Sequence, residues 1–508
     1  MIRRRKRPAA AAAFIILVVL WGTSAGWTVL AELTPALPTG ILPSKPGHPN
    51  VLLIVLDTVR ADHMSCYGYH RRTTPRVDAF AAKARVYKDV LSPSCWTLPS
   101  HASFFTGLPV SAHGVTWTHQ ALDRQFDTLA EQLQGAGYQT VGLSSNPILT
   151  ASRFFDQGFE LYEVAGPRST RTLSARLVAR IVKPVAWRGS APQMHRRLGR
   201  WFRSDYTPDK PFFIFLNYIE PHQPYLPASH LLEWSTPELV DKWEKVNQGD
   251  ALFQYTLTGL DTLSSTDIEE LAALYDEEIA YVDRHVGELL DFLRTNGLDK
   301  NTLVIITSDH GEHFGEHHMM DHQYSLYEPL VRVPLIVKWD DRLPPGEDET
   351  PVQSHDLYPT VLEAARIDWK KTSAHNCESL LRKSGGVARR GFAEYLAPLL
   401  CFITENSNRY PRLDFGRFLR QLRAVQLGSM KLIRYSDGSV ELFDLARDPI
   451  ELRDLSSDRP AVVMKLQQTL DRWLQSFQHY EPLVPTPEAL EKLSPEELDA
   501  MRGLGYLR

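Results

Sequence analysis

The sequence predicts an α/β protein: a doubly wound, mostly parallel sheet flanked by helices, with a smaller C-terminal α+β subdomain. Three short runs carry that prediction: Val51 to Leu56 (VLLIVL), Phe212 to Tyr218 (FFIFLNY) and Leu303 to Ile306 (LVII). They are apolar nearly throughout rather than alternating, as strands buried on both faces of a parallel sheet are. Each leads directly into polar, ligand-capable residues, and the sites of open α/β sheets lie beyond the carboxyl ends of the strands. A chain of 508 residues exceeds one typical compact domain, so a second, smaller piece is expected.

The elements follow in order. Arg3, Arg4, Arg5, Lys6 and Arg7 precede an apolar run from Ala9 to Trp21, interrupted at Gly22-Thr23-Ser24 and resumed through Leu30. The first run has signal-peptide length, and the whole stretch is just long enough to span a bilayer. Residues 1–34 therefore read as a signal peptide or signal anchor, with the basic cluster on the cytoplasmic side and the rest exported. Small residues around Ser24-Ala25-Gly26 and Ala31 permit cleavage. A cleaved chain would be secreted or periplasmic; an uncleaved one would keep a membrane contact through its N-terminal segment.

Residues 35–49, rich in Pro and Gly, read as a linker. Residues 50–370 are expected to form the catalytic domain. Within it, Thr128 to Gln134 predicts a short helix stopped by Gly135-Ala136-Gly137. A longer one runs from about Thr266 to Leu293, with Leu271, Leu274, Ile279, Val282, Val286, Leu289 and Leu293 on one stripe. Asp267, Glu269, Glu270 and Asp276 through Glu278 are assigned to its solvated face. Residues 371–508 change character. Val425 to Tyr435 and Val440 to Leu445 flank Ser436-Asp437-Gly438-Ser439, a hairpin signal. A helix over about 460–477 and a capped helix start at Ser494 complete the subdomain.

Composition excludes more than it assigns. A net charge of -5 from 56 basic and 61 acidic residues gives no basic footprint for nucleic acid. Four cysteines (Cys66, Cys95, Cys377, Cys401) do not make a disulfide framework. A single Cys377–Cys401 bond in an oxidising compartment stays open.

Three segments carry ligand chemistry. The first is Asp57-Thr58 at the end of the opening strand. The second runs from Ser94 through Thr97 and His101 to Gly107, and the third from Thr307 through Asp309 and His310 to His322. Asp57, Asp309 and His310 offer two carboxylates and an imidazole at strand ends, and Thr97 can close the set with its oxygen. That mixture suits one divalent cation, with Ca, Mn and Zn all open. Thr97 stands just before an expected helix start, where backbone N–H groups and the positive helix end face an anion. Its hydroxyl is a weak nucleophile that needs a metal or a base to activate it.

Taken singly these residues are ordinary: an Asp after a strand is usually a turn residue, and a lone threonine is unremarkable. Their co-occurrence, in order, after separate buried strands carries the functional reading. His222, on the proline-braced turn Glu220-Pro-His-Gln-Pro-Tyr225, is a further candidate against a structural alternative. His313, His317 and His318 are more simply loop histidines.

These residues resemble the sulfatases and sulfatase-like hydrolases of the alkaline phosphatase superfamily, from about Asn50 to Leu507. The matching segments include Leu56-Asp-Thr-Val-Arg-Ala-Asp-His63, Trp96-Thr-Leu-Pro-Ser-His101, Glu220-Pro-His222, Ser308-Asp-His-Gly-Glu312 and Leu504-Gly-Tyr-Leu507. The resemblance implies an alkaline phosphatase-like sheet and a single metal on Asp57, Asp309 and His310. It makes Thr97 the nucleophile of a covalent intermediate and His222 the candidate general acid. True sulfatases carry Cys-x-Pro-x-Arg with the cysteine oxidised to formylglycine; here the positions read Thr97-Leu-Pro-Ser-His101. The second metal-binding Asp of many sulfatases is Thr58, and the family's lysine segment is replaced by Leu143-Ser-Ser-Asn146. His101, Asn146 and His322 are the residues left to compensate, the first as a catalytic candidate and the other two as substrate-binding candidates.

Threonine cannot release sulfate by the formylglycine hydrate's elimination. The resemblance therefore implies an exported hydrolase acting on phosphoesters of small, glycan-linked or lipid-linked alcohols. A sulfuric ester hydrolase and a phosphoglycerol- or phosphoethanolamine-type transferase are the alternatives, and a non-catalytic binding module is a third. The intact ligand set argues against the last.

Overall fold

The computed structural model describes residues 37–43, 47–165, 190–227, 231–340, 342–382 and 390–481. The leader (1–34) and the expected helix at Ser494 lie outside the described residues. Among the described residues, no helix is long and apolar enough to cross a membrane.

Three strands form the middle of the molecule: β1 (Asn50–Leu56), β2 (Phe212–Tyr218) and β3 (Thr302–Thr307). β1 pairs in parallel with both of the others. Alternate residues of β1 feed two different cores. Val51, Leu53 and Val55 enter one; Leu52, Ile54 and Leu56 enter the other. Both faces are covered, which is why the strand is apolar at every position after Asn50. The full sheet has eight strands in the order Gly346–Asp348, Arg85–Tyr87, Leu335–Lys338, β3, β1, β2, Gln139–Ser144 and Leu161–Val164. Only Leu335–Lys338 runs antiparallel to its neighbours. This is the mostly parallel, helix-flanked sheet that the three apolar runs predict.

Three helices matter for the site: α1 (Thr97–Thr106), α2 (Ser190–Ser204) and α3 (Ser265–Thr295). α3 starts on a capping box formed by Ser264 and Asp267 and lays the expected apolar stripe against the second core. Its acidic middle is not solvated, contrary to expectation. Asp276, Glu277 and Glu278 are all buried. Asp276 accepts from Tyr69 Oη (2.8 Å) and Arg71 Nη1 (2.8 Å) and contacts His63 Nδ1 (2.7 Å). Glu277 accepts the backbone N–H groups of Glu233, Trp234 and Ser235. Loops that cover this helix face bring unpaired donors with them, and these carboxylates satisfy them. Such partners are invisible to a helical wheel.

The short helix Leu129–Gly135 forms behind a Thr128–Glu131 capping box and takes Gly135 as its last residue. The segment ahead of β1 lies against the molecule: Ile41 N donates to Asn296 Oδ1 at 2.8 Å, and Leu37 and Ile41 pack on the second core.

The C-terminal region builds a four-stranded antiparallel meander from Arg390–Tyr395, Leu422–Leu427, Met430–Tyr435 and Val440–Asp444. The hairpin at Asp437-Gly438 is as expected. The run Val425 to Tyr435 is two strands rather than one, because Gly428, with φ of 61°, turns the chain back. The helix Pro460–Gln475 covers one face through Val463, Leu466, Leu470 and Trp473. The other face (Ala393, Tyr395, Leu422, Ala424, Ile433) joins the main core.

Candidate active site

The carboxyl ends of β1 and β3, the start of α1 and the loop after β2 meet in one buried pocket of polar groups. β1 delivers Asp57, and β3 delivers Asp309 and His310 after the link Ser308. All three are fully buried, and one donor atom of each lies within 4.8 Å of the others. Thr97 is the first residue of α1 rather than the residue before it. The preceding N-cap, Trp96, offers no side-chain cap. The helix's leading N–H groups therefore have no side-chain cap at the end where Thr97 stands. Thr97 Oγ1 lies 3.3 Å from His310 Nε2 and 3.4 Å from Asn146 Nδ2.

The hydrogen bonds fix which atoms remain for a cation. His310 Nδ1 is 2.9 Å from the Gly311 carbonyl, which can only accept. The proton is thereby placed on Nδ1, and the lone pair of Nε2 faces Thr97 and Asp309 Oδ2, the latter at 3.5 Å. Asp57 Oδ2 accepts from Asn146 (2.7 Å) and Asn217 (3.1 Å), and Asp309 Oδ1 accepts from the amides of Thr58 (3.3 Å) and His310 (3.0 Å). The remaining oxygens, Asp57 Oδ1 and Asp309 Oδ2, are buried without a hydrogen-bond partner. Burial lifts the Asp57 carboxyl to about 6, against the pull of Asn146 and Asn217. Burial and then the Asp57 charge hold Asp309 well above the ordinary carboxylate range. Two orphaned oxygens and one imidazole lone pair fit a divalent cation. Thr58, between these groups, takes φ of 59°, a strained geometry for a β-branched residue.

The other predicted residues also gather here. His101 is buried one turn into α1; its Nδ1 is 2.9 Å from the Thr97 carbonyl and its Nε2 is 3.4 Å from Asn217 Nδ2. Burial pushes its ring down to about 4, so it is a neutral brace for the helix that carries Thr97. Asn146 bridges Asp57 and Thr97. His222 Nδ1 is 2.6 Å from the Gln223 carbonyl, and burial followed by the charge of His322 lowers the ring to about 3. His322 stands between His222 and His310, with ring centroids at 4.9 and 4.5 Å. Its Nδ1 faces Asp321 Oδ1 (2.7 Å) and Glu312 Oε1 (3.1 Å). Desolvation works against the cation, but Asp321 first and Glu312 after it raise His322 well above its ordinary value. Burial lifts Glu312 itself to about 8, so the lowered Asp321 carries the pairing. The loop that carries it is contorted: His317, His318, Asp321, Gln323 and Tyr324 all have positive φ.

Three loop histidines stay outside this group. His313 Nε2 meets Ser325 Oγ at 2.8 Å, His317 stacks on Tyr327 and His318 stacks on Tyr255. Sequence reasoning passed over Asn217 as well as Asp321 and Glu312, which hold His322. Asn217 left a trace, being the lone amide in an otherwise apolar strand. Asp321 and Glu312 lay within a polar segment where nothing ranked one acid above another. Cys377 is buried, and the Cys401 side chain lies outside the described residues.

A model of the Sulfatase family matches residues 49–367. Among relatives, the uncharacterized sulfatase YidJ of Escherichia coli (strain K12) is 24% identical over 81% of this chain and 83% of its own. Arylsulfatase K of Bos taurus is 23% identical, covering 89% of this chain and 87% of its own. Among solved structures, the phosphonate monoester hydrolase of Agrobacterium radiobacter aligns with a TM-score of 0.66 at 20% identity, over 84% of this chain and 96% of that one. A protein solved in complex with its substrate D-glucosamine-2-N,6-O-disulfate aligns with a TM-score of 0.61 at 18% identity, over 85% and 98%. At these identities the structural likeness concerns the fold.

Proposed function

The chain belongs to the sulfatase family and is an ester-bond hydrolase, and we propose that it hydrolyses phosphoesters through a covalent intermediate on Thr97. The observation that carries this reading is the placement of Thr97 Oγ1. It sits at the uncapped start of α1, within 3.3 Å of His310 Nε2 and 3.4 Å of Asn146 Nδ2.

One divalent cation (Ca, Mn or Zn) would be held by Asp57, Thr97, Asp309 and His310. When bound it supplies a lowered hydroxyl pKa and a Lewis acid for the ester oxygen. Within the chain's own residues, Thr97 gives its hydroxyl proton to solvent, and its Oγ forms the bond to phosphorus while the bond to the leaving oxygen breaks. The α1 amides and Asn146 face the charge that develops on the phosphoryl oxygens. The departing alkoxide needs a proton. His222 is the donor the resemblance implies, but burial and the neighbouring His322 charge hold its ring neutral. His322, held as a cation by Asp321 and Glu312, is the better-placed donor and charge partner. Water then attacks the phospho-threonine in line, passing a proton to the His322 left neutral by the first step. The Thr97 oxygen leaves, regains its proton from solvent, and phosphate or its monoester is released.

Sulfuric ester hydrolysis is the second reading, favoured by the arylsulfatase K relatives and by the disulfated sugar substrate of one structural neighbour. Against it stands the residue itself, since sulfo-threonine lacks the hydrate's internal route of breakdown. The deciding assay sets matched aryl phosphodiester, phosphomonoester and sulfate against the purified enzyme. Multiple turnovers are expected on a phosphate ester, with Thr97→Ala lowering them by about 10³-fold or more at unchanged fold. Repeated turnover of the sulfate alone would overturn the proposal.

Export is part of the reading and rests on the basic cluster ahead of the apolar run. A reporter fused after Arg508 should be active only if it is a type that works outside the cytoplasm.

A further inference from the structure

We propose that His195, His285 and Glu288 form a second cation site, separate from the catalytic pocket and suited to zinc. His195 comes from α2; His285 and Glu288 stand three residues apart on α3 and so share one face of a rigid helix. One donor atom from each residue lies within 4.8 Å of the other two. Glu288 Oε2 is 3.5 Å from His195 Nδ1 and 3.1 Å from His285 Nδ1. Ligands 2.0–2.1 Å from a tetrahedral zinc stand about 3.3 Å from one another, so both separations match the edges of such a site. The two imidazole planes cross at 89° with centroids 5.5 Å apart, so the rings meet edge to face rather than stacking.

The outer contacts agree. His195 is buried, and its Nε2 is 2.8 Å from Tyr218 Oη at the end of β2. With Nε2–H donated to that hydroxyl, the Nδ1 lone pair points into the cluster, the arrangement that metal-binding histidines use. In that tautomer His195 Nδ1 has no proton for Glu288, and a cation between the two lone pairs reconciles them. With Tyr218 Oη as the donor, Nδ1–H meets Glu288 directly, and zinc titration separates the two arrangements. Two imidazoles and a single carboxylate select zinc over calcium or magnesium, which need more oxygen ligands. Glu288, with its side chain 59% exposed, leaves the fourth position to water.

Such a cation would pin α2 onto α3, and that has a consequence for the pocket. The first residues of α2, Ser190 (Oγ, 2.6 Å) and Ala191 (N, 2.7 Å), both donate to Glu220 Oε1. Glu220 lies two residues ahead of His222, so the clamp steadies the wall that carries His222.

The test uses the full chain, stripped of metal and then titrated with zinc. Metal content is read after gel filtration, alongside melting temperature. Wild type should retain one zinc equivalent more than Glu288→Gln or His285→Ala, and zinc should raise its melting temperature further than theirs. Tyr218→Phe should weaken this extra equivalent by about 10–100-fold. The difference should persist in an Asp309→Asn background, which separates it from the catalytic cation. Equal zinc content and equal zinc-induced shifts in wild type and Glu288→Gln would overturn the proposal. So would a Glu288→Gln variant that loses stability without zinc and no zinc equivalent, since that is an ordinary ion pair. Glu288 is exposed and the Gln change conservative, so a folding failure does not confuse the result.

Discussion

Two buried pairs of carboxylates in this protein meet opposite fates. Glu328 and Glu451 close on Lys431, whose Nζ lies 2.7 Å from one and 2.9 Å from the other, with the lysine side chain fully buried. Asp57 and Asp309 are equally buried, yet among the described residues no lysine or arginine pairs with either. Their direct partners are amides and the imidazoles of His101 and His310, with the His322 cation one ring further out. The first pair brings its own counter-ion and ties the helix Glu328–Val331 to the C-terminal sheet. The second leaves two oxygens without partners, at a site where the chain spends strain on Thr58. A fold that gives one pair a buried lysine and the other none leaves the second suited to a cation that arrives from solvent.

The sharpest way to break that comparison is to remove the lysine. Lys431→Met should leave two uncompensated carboxylates and cost about 3–5 kcal/mol of stability, read as a lower denaturation midpoint. Turnover per folded molecule should hardly change. Asp309→Asn should do the reverse in metal-free protein: stability held or raised, turnover lost, and metal content down. If Lys431→Met proves neutral, the two pairs do not differ in the way described.

Proton linkage sharpens the contrast. Burial raises the Asp57 carboxyl from 3.8 to about 6 in the metal-free fold. A raised carboxylate contributes stability that is fully present below its unfolded value and is lost as pH rises through its folded value. Metal-free protein should therefore weaken as pH rises from about 4 through 6. Bound cation removes the penalty. The gap in melting temperature between metal-loaded and chelated protein should widen across that window, and a gap that stays constant from pH 4 to 7 would contradict the assignment.

Much of this was legible in the sequence because burial leaves composition behind. The apolar runs of β1, β2 and β3 announce a sheet covered on both faces, and the acids and imidazole just past their ends mark the pocket. What escaped depended on partners far along the chain. Asp276 and Glu277 read as solvent-facing on a helical wheel, and only the packed loops show the donors they serve. Lys431 looks like any strand-surface lysine until Glu328 and Glu451 are brought to it. Gly428 split a strand that periodicity alone would continue. His322 was visible as a candidate, but the two acids that make it a cation were not, because their loop takes backbone angles that no pattern of residue types encodes.

The smallest effect concerns Asn217, and it tests whether the open pair is held in place or merely left over. Asn217 Nδ2 sits between Asp57 Oδ2, at 3.1 Å, and His101 Nε2, at 3.4 Å. A single amide thus joins the carboxylate of β1 to the helix that carries Thr97. Asn146 gives Asp57 a second and shorter bond at 2.7 Å, so loss of Asn217 should not release the carboxylate altogether. Groups that orient metal ligands from behind are worth about 10–100-fold in metal affinity, or ~1.4–2.7 kcal/mol at 1.36 kcal/mol per decade. With Asn146 sharing the task, Asn217→Ala should fall at the lower end of that range. It should weaken metal binding, measured by competition with a chelator, while turnover at saturating metal falls much less than in Thr97→Ala. Asn217→Asp is the harsher change, because it sets a third carboxylate beside Asp57 and deprives that oxygen of a donor. If Asn217→Ala leaves metal affinity untouched, Asn146 alone fixes Asp57, and the amide in β2 serves only the packing of His101.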